Sequence, residues 1–400
     1  MTTLAAIVFW LSAGLIFWTH AGYPVALWVL AFLRRPATQR RERAAATAGP
    51  VAIPSTPAAD AVAGSEPAVP TVSLLIPAYD EEEVIAAKVA NAIALDYPRE
   101  RLQVIVASDG SADATAARAR EAGADLVLEL PAGGKVAALN AAAEKATGDL
   151  LAFSDANSNW EPEALRRLVA PFEDPGVGYV CGQVRFVDGE GDNLEGAYWH
   201  YEMAVREMES ALAGITAGNG AIYAVRRAEY LPLDPAGSHD LSFPFLFAKR
   251  GLCSLYVPAA RAEEKMVPTL EGEFARKRRM MVGLWDIVVG EGMLAPRGYS
   301  PLYAFELASH RLLRYLSPFL HVLVFLANLV LLGDGWFYYL TFILQLGLLG
   351  GALLAPYVPS TPLRFARYYV LTTASIAAGL WDRWRRKRPT GRWEKAEGTR

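Results

Sequence analysis

Cysteine is nearly missing from this 400-residue chain, which has 2, Cys181 and Cys253. Neither stands in a pairing or zinc-type spacing, so no disulfide framework is implied. The 5 histidines (His20, His200, His239, His310 and His321) are scattered, and none belongs to an HExxH array. A basic surplus is lacking too: the net charge is -3 and the pI is near 6.0, which gives no case for nucleic-acid binding. Two phosphate-binding signatures are also absent. Gly133-Gly134-Lys135 is preceded by Ala132 and followed by Val136, so it is not GxxxxGK[ST]. Gly218-Asn219-Gly220 runs on into Ala221, Ile222 and Tyr223, so it is not GxGxxG. A P-loop and a dinucleotide fold are both disfavoured.

Apolar residues are what the chain has in surplus. They make up 53% of the sequence, and the mean hydropathy is +0.18, too apolar for an ordinary soluble enzyme of two or three domains. The surplus collects at the two ends. Residues 4–33 are almost free of charge, interrupted by His20-Ala21-Gly22-Tyr23-Pro24, and are long enough to cross ~30 Å of hydrocarbon. The run is too long for a secretory signal and no basic stretch precedes it. Arg34, Arg35, Arg40, Arg41 and Arg43 follow, which by the positive-inside bias puts the next segment in the cytoplasm. Residues 1–33 are therefore expected to be a membrane anchor. Residues 34–70, basic at first and then made of Ala, Pro and small polar residues, read as a disordered tether. Three more apolar stretches occupy residues 312–332, 336–355 and 368–381. The last has arginines on both sides, so whether it crosses is left open.

Between the ends the pattern changes to regular alternation. Strands are expected at 72–76, 102–107, 125–130, 150–153, 177–187, 221–225 and 252–257. Helices are expected at 81–95, between Ser111 and Gly123, and at 135–146, 161–172, 193–212, 240–250 and 271–289. Such alternation argues for an α/β fold with a mostly parallel central sheet covered by helices on both faces. The helix at 271–289 is basic and amphipathic and reads as a membrane-surface element. The expected order is anchor (1–33), tether (34–70), cytoplasmic catalytic domain (71–270), interfacial helices (271–308), C-terminal transmembrane helices (309–382) and basic tail (383–400).

Chemistry in such a sheet gathers at the carboxyl ends of strands. The strand at 150–153 ends in Ser154-Asp155-Ala156-Asn157. Two side-chain oxygens two residues apart on extended chain point the same way and can hold a hard divalent cation; alternatively the turn caps a loop. Pro77-Ala78-Tyr79-Asp80-Glu81 can receive a nucleobase and ribose, or form an acidic helix start. Ser108-Asp109-Gly110-Ser111 offers a carboxylate to a base, or a capping turn. Gly133-Gly134-Lys135 suggests phosphate contact through backbone N–H groups and an ammonium. Asp240, behind His239, is either a general base or an N-cap. Arg276-Lys277-Arg278-Arg279 is a solvated or lipid-facing run, or a brace for a diphosphate.

Taken in order, PAYDEE, SDGS, GGK with Ala138-Leu139-Asn140, SDAN, GNGA, HD and a basic helix resemble the family 2 glycosyltransferases of GT-A fold over about residues 71–290. The flanking apolar segments resemble the integral-membrane branch that includes cellulose, hyaluronan and chitin-oligosaccharide synthases. The resemblance implies that Pro77, Tyr79, Glu81 and Asp109 line a nucleotide pocket and that Lys135 sits near the donor. It implies a metal–diphosphate held at Asp155 and Asn157, with Mg²⁺ or Mn²⁺ as cofactor. Asn219, Gly220 and Ala221 match the acceptor-side strand, Arg276 and Arg279 fall on the acceptor and phosphate side, and Asp240 matches the general base. Three positions depart from the pattern. Asn157 replaces an acid, His239 stands where Glu precedes the base, and the QxxRW motif survives only in Arg279, without the Trp that would stack on a growing polymer. The expectation is a multi-pass enzyme of the inner cell membrane. It would move a sugar from a nucleotide-sugar donor, expected to be a UDP-sugar, to a glycan or lipid-linked acceptor in cell-surface polysaccharide or glycolipid synthesis. A processive synthase, a degenerate nucleotide-sugar-binding assembly subunit and a transporter-like protein remain as alternatives.

Overall fold

The computed structural model describes residues 2–33, 69–187, 194–265 and 270–385. The tether expected at 34–70 lies outside them up to residue 68, and so does the basic tail from residue 386. A first helix, α1 (Thr2–Leu33), precedes an eight-stranded sheet. Its strands are β1 (Val72–Ala78), β2 (Leu102–Asp109), β3 (Leu126–Leu130), β4 (Leu150–Phe153), β5 (Asn159–Trp160), β6 (Val177–Val187), β7 (Tyr223–Arg226) and β8 (Cys253–Lys265). Their spatial order is β3-β2-β1-β4-β7-β6-β8-β5. β3, β2, β1 and β4 are mutually parallel, β7 runs antiparallel between β4 and β6, and β8 is parallel to β6.

The strands are apolar without strict alternation because both faces are covered. Leu74, Ile76, Val104 and Val106 pack on one face with helices α2 (Ile85–Ile93), α3 (Thr115–Glu121) and α5 (Ala164–Val169). Leu75, Ile105, Ala107 and Phe153 pack on the other against α4 (Lys135–Lys145) and α7 (His239–Lys249). The two-residue period of strand side chains sorts these neighbours into two cores.

Proline accounts for two of the expected boundaries that move. The helix expected at 161–172 shrinks to α5 and then tightens over Ala170–Glu173, where Pro171 supplies no N–H. The strand expected at 252–257 instead continues to Lys265. Its pairing with β6 jumps from Cys181↔Tyr256 to Gln183↔Arg261, a bulge that takes up Pro258. The extension matters because it carries β8 alongside β5, pairing Asn159 with Glu263.

Helix α6 (Leu194–Leu212) lies between β6 and β7 in sequence, and after the sheet come the C-terminal helices α8 (Leu270–Trp285), α9 (Pro301–Leu331), α10 (Trp336–Leu354) and α11 (Thr361–Arg385). Among the described residues, three helices, α1, α9 and α10, are long and apolar enough to cross a membrane. The stretch at 368–381 lies in α11, which is not among them. Its polar residues have partners on α8: Asp382 accepts two hydrogen bonds from Arg278 at 2.6 and 2.7 Å, and Arg383 binds Asp286 just beyond α8. Gly379 allows the two helices to touch, since a Cβ there would lie 2.4 Å from the Cβ of Met281.

Candidate active site

The exits of β1, β2 and β4 lie side by side because these strands are neighbours in parallel register. Asp80, in the left-handed region at φ 48°, turns the first exit towards the second. Its Oδ1 accepts from the Ala112 amide at 2.8 Å, and its own N–H donates to the Ser111 hydroxyl at 3.0 Å. Gly110 is obligatory: at φ +69°, a Cβ would also lie 2.8 Å from the Ala132 nitrogen. Pro77 and Glu81 are buried and Tyr79 is half-buried beside this junction.

Asp109 is buried, and its carboxylate accepts from the amides of Gly133 and Gly134 at 2.7 and 2.8 Å. Those two N–H groups were expected to face a phosphate. They are occupied by Asp109, which fixes the start of α4 and aims Lys135. The Lys135 ammonium pairs with the Asp155 carboxylate. Burial opposes that charge, but Asp155 outweighs it and holds the ammonium above its ordinary range; Asp240 and Glu264 act in the same sense. A Cβ on Gly220 would come within 3.4 Å of the same nitrogen. Thus Lys135 brings Asp155, Gly220 and Asp240 to one place, although they come from three distant parts of the chain.

Asp240 lies in the first turn of α7 but is not its N-cap; Ser238 holds that position and donates its hydroxyl to Asp240 Oδ1. The Asp240 carbonyl accepts from the Gly218 amide at 2.7 Å. Buried Arg206 donates to the Gly218 carbonyl at 3.1 Å. Asn219 has both ends of its side chain engaged, donating to the Gly182 carbonyl at 2.5 Å and accepting from the Ile222 amide at 3.1 Å. It ties β6 to the approach of β7. Arg276 is half-buried and Arg279 exposed. The basic run is not simply solvated or lipid-facing, since Lys277 donates to Tyr368 of α11 at 3.0 Å and Arg278 binds Asp382.

His239 is buried among Phe153, Tyr223, Tyr230 and Phe243, with the Phe243 ring 4.4 Å away. Its Nδ1 shares a 2.8 Å hydrogen bond with the Tyr223 hydroxyl. Burial first, and Lys135 second, push it down to about 3. It is neutral, so it places no positive charge beside Asp240. Because the unfolded histidine titrates at 6.5, this residue contributes stability that is complete above that pH and is lost as pH falls towards 3. Comparing wild type with His239→Gln in thermal melts should show a stability difference that changes between pH 6.5 and pH 4 and is level above pH 7. A difference constant across the range would contradict the neutral assignment.

Lys88 and Glu264 escaped the sequence reading. Lys88 sits on the apolar stripe of α2 with Ile85, Val89 and Ala92. A lysine at that helical spacing is the signal that could have found it. It is buried, 5.3 Å over the Trp160 ring, and donates to the Ser158 carbonyl at 2.7 Å, supporting the loop that follows Asp155. Burial lowers its ammonium to about 7. Glu264 is brought in by the β8 extension and had no local signal.

Asp155 and Asn157 offer a carboxylate and an amide oxygen on a turn closed by the Ser158 amide donating to the Asp155 carbonyl at 3.2 Å. Oxygen donors of this kind fit a hard cation. Among the described residues, no group of three His, Cys, Asp or Glu side chains forms a metal cage.

Comparison with known proteins gives a consistent result. Residues 73–231 match the family described as Glycosyl transferase family 2. Glycosyltransferase AglE of Haloferax volcanii is 33% identical over 135 residues, covering 32% of this chain and 44% of that protein. A beta-monoglucosyldiacylglycerol synthase of Trichormus variabilis is 30% identical over 257 residues, covering 56% of this chain and 52% of that protein. The chain therefore spans about half the length of the curated relatives it matches. Mannosyltransferase PcManGT from Pyrobaculum calidifontis, solved with GDP-Man and Mn²⁺, superimposes with a TM-score of 0.63 at 23% identity, covering 90% of this chain and 97% of that one. The shared architecture is the GT-A fold.

Proposed function

Since residues 73–231 form a family 2 glycosyltransferase domain, we propose that this chain is a membrane-anchored, inverting glycosyltransferase that uses a nucleotide-sugar donor and a divalent cation, Mg²⁺ or Mn²⁺. The observation that carries the reading is the Lys135 ammonium, paired with Asp155 and beside Gly220, two residues after the Gly218 amide that bonds the Asp240 carbonyl. Asp155 and Asn157 would hold the cation, which neutralises the diphosphate of the leaving nucleotide. Lys135 would contribute a second positive charge at the same place, and Arg276 and Arg279 of α8 are proposed to add to it. Asp240 takes the proton from the acceptor hydroxyl as that oxygen attacks the anomeric carbon. Glu81, Asp109 and Tyr79 shape the nucleotide side, Asp109 by fixing the turn ahead of Lys135.

The acceptor is proposed to be lipid-linked. Asp240 lies at the start of α7, whose Phe245 packs in one buried cluster with Tyr303, Leu307 and Tyr315 of α9, a candidate span, which supports a base close to that helix. The relative from Trichormus variabilis is named for a glucosylated diacylglycerol, which is in line with a lipid acceptor. With α1, α9 and α10 crossing, the arginines at both ends of α11 return to the cytoplasmic side together with the catalytic domain. That arrangement agrees with the positive-inside bias.

The test is purification in detergent followed by a screen of UDP-, GDP- and dTDP-sugars for release of nucleoside diphosphate. Release from one donor class is expected with Mn²⁺ and is expected to vanish with EDTA. No release from any donor in the presence of mixed membrane lipids would remove the enzymatic reading.

A further inference from the structure

The loop between β4 and β5 carries both proposed cation ligands, and the sheet fixes its two ends. At the start the Ser154 amide donates to the Leu75 carbonyl of β1 at 3.1 Å, and at the end Trp160 pairs with Ala262 of β8. Asp155 and Asn157 lie between, on a turn whose direction the sheet does not set. Helix α2 reaches this turn with two side chains of one face, three residues apart. The Lys88 ammonium donates to the Ser158 carbonyl at 2.7 Å. Asn91 grips the Trp160 backbone at two points: its Nδ2 donates to the carbonyl at 2.9 Å and its Oδ1 accepts from the amide at 3.0 Å. The Trp160 indole in turn donates to the Ala221 carbonyl at 3.0 Å, so the clamp also meets the Gly218–Ala221 stretch. Lys88 is 3% exposed. A buried ammonium on the apolar face of a helix costs desolvation, and a methionine of similar length would pack there without that cost. The same charge would repel a cation held on the neighbouring loop. Neither stability nor attraction for the ion accounts for a lysine here; a directed hydrogen bond to one backbone carbonyl of the turn does.

Resting on the glycosyltransferase reading, we infer that Lys88, together with Asn91, is a positioning residue: it sets the direction of the turn from Asp155 to Ser158 and thereby the affinity of the site for the cation and its diphosphate. Lys88 is not itself a ligand. It acts through the Ser158 carbonyl, which adjoins Asn157 and belongs to the residue whose amide closes the turn on the Asp155 carbonyl at 3.2 Å. Partners of this kind hold ligand oxygens in place, and losing one typically costs about 10- to 100-fold in metal affinity.

The experiment is a Mn²⁺ titration of the full-length protein in detergent, read by the EPR signal of free Mn²⁺ in the presence of UDP, GDP or dTDP, beside a thermal melt. Lys88→Met is expected to weaken Mn²⁺ binding about tenfold or more, while Tm stays within about 3 °C of wild type or rises. Lys88→Gln, which keeps an N–H donor on a shorter arm, should fall between the two. Asn91→Leu, which releases the Trp160 backbone, should weaken binding by about threefold or more. A lowered Tm with wild-type affinity would make Lys88 a structural residue. Tighter Mn²⁺ binding in Lys88→Met would show that its charge acts on the ion and its hydrogen bond does not. Either result overturns the inference and leaves the glycosyltransferase reading in place. If Lys88→Met fails to fold, Asn91→Leu decides, since wild-type affinity in it also overturns the inference. If wild type binds no Mn²⁺ with any of the nucleotides, the cation reading of the site fails first and the inference falls with it.

Discussion

Asp240→Asn is expected to reduce sugar transfer by about 10²- to 10⁴-fold, the usual contribution of a positioned general base. That loss corresponds to roughly 3–5 kcal/mol of transition-state stabilisation. Asparagine has nearly the same shape and can still accept the Ser238 hydroxyl bond, so the first turn of α7 should keep its geometry. The backbone bond from Gly218 does not involve the side chain and is retained. His239 is buried and neutral and adds no positive charge beside it. Donor and Mn²⁺ affinity should therefore change by less than about twofold, because the proposed cation ligands are Asp155 and Asn157, not Asp240. The measurement is a rate of transfer beside a nucleotide-binding isotherm. Transfer at the wild-type rate would remove Asp240 as the base, and lost nucleotide binding would show that the substitution had damaged the fold.

A second large effect is expected far from the donor site. Glu209, on α6, has no exposed surface and lies at the junction of the catalytic domain with α1 and α9. Its carboxylate accepts from the Tyr23 hydroxyl at 2.6 Å and the Thr216 amide at 3.2 Å, and it meets His310 Nδ1 at 2.7 Å. Burial raises the cost of its charge, but His310, Arg311 and Tyr23 prevail and hold the carboxyl down at about 2. Glu209→Ala leaves these partners buried without it, which costs about 3–5 kcal/mol for a broken buried pair. A fall in Tm on the order of 10 °C should follow in detergent. Activity should fall as well, because Thr216 leads directly into Gly218, whose amide holds the Asp240 carbonyl. A Tm within about 2 °C of wild type would show that the junction is not welded by this carboxylate.

The outcome of the sequence reading can be argued residue by residue. Asp155 and Lys135 stood out in the sequence because each follows a short, continuous apolar strand or a glycine turn, where local signals are strong, and the structure pairs them. Asp240 stood out only through the order of motifs, since an acid at a helix start is ordinarily a cap; in the structure Ser238 takes the cap position. The Gly133-Gly134 amides were misassigned for a physical reason: whether an N–H faces a ligand or a neighbouring carboxylate depends on Asp109, 24 residues away. Lys88 left a visible trace as a charge on an apolar stripe. Glu264 left none, because Pro258 hid the continuation of its strand.

What the chain determines by itself is the class of the fold, the apolar ends and the set of strand exits that carry polar side chains. Hydrophobic periodicity and turn chemistry are local properties and are written within a few residues. The identity of the site's charges was decided only by tertiary packing: which acid meets Lys135 and which amide is already bonded. The Asp155–Lys135 pair and the bonded Gly133 and Gly134 amides are set by strand order and register, and electrostatic interaction falls with distance in space and takes no account of separation along the chain.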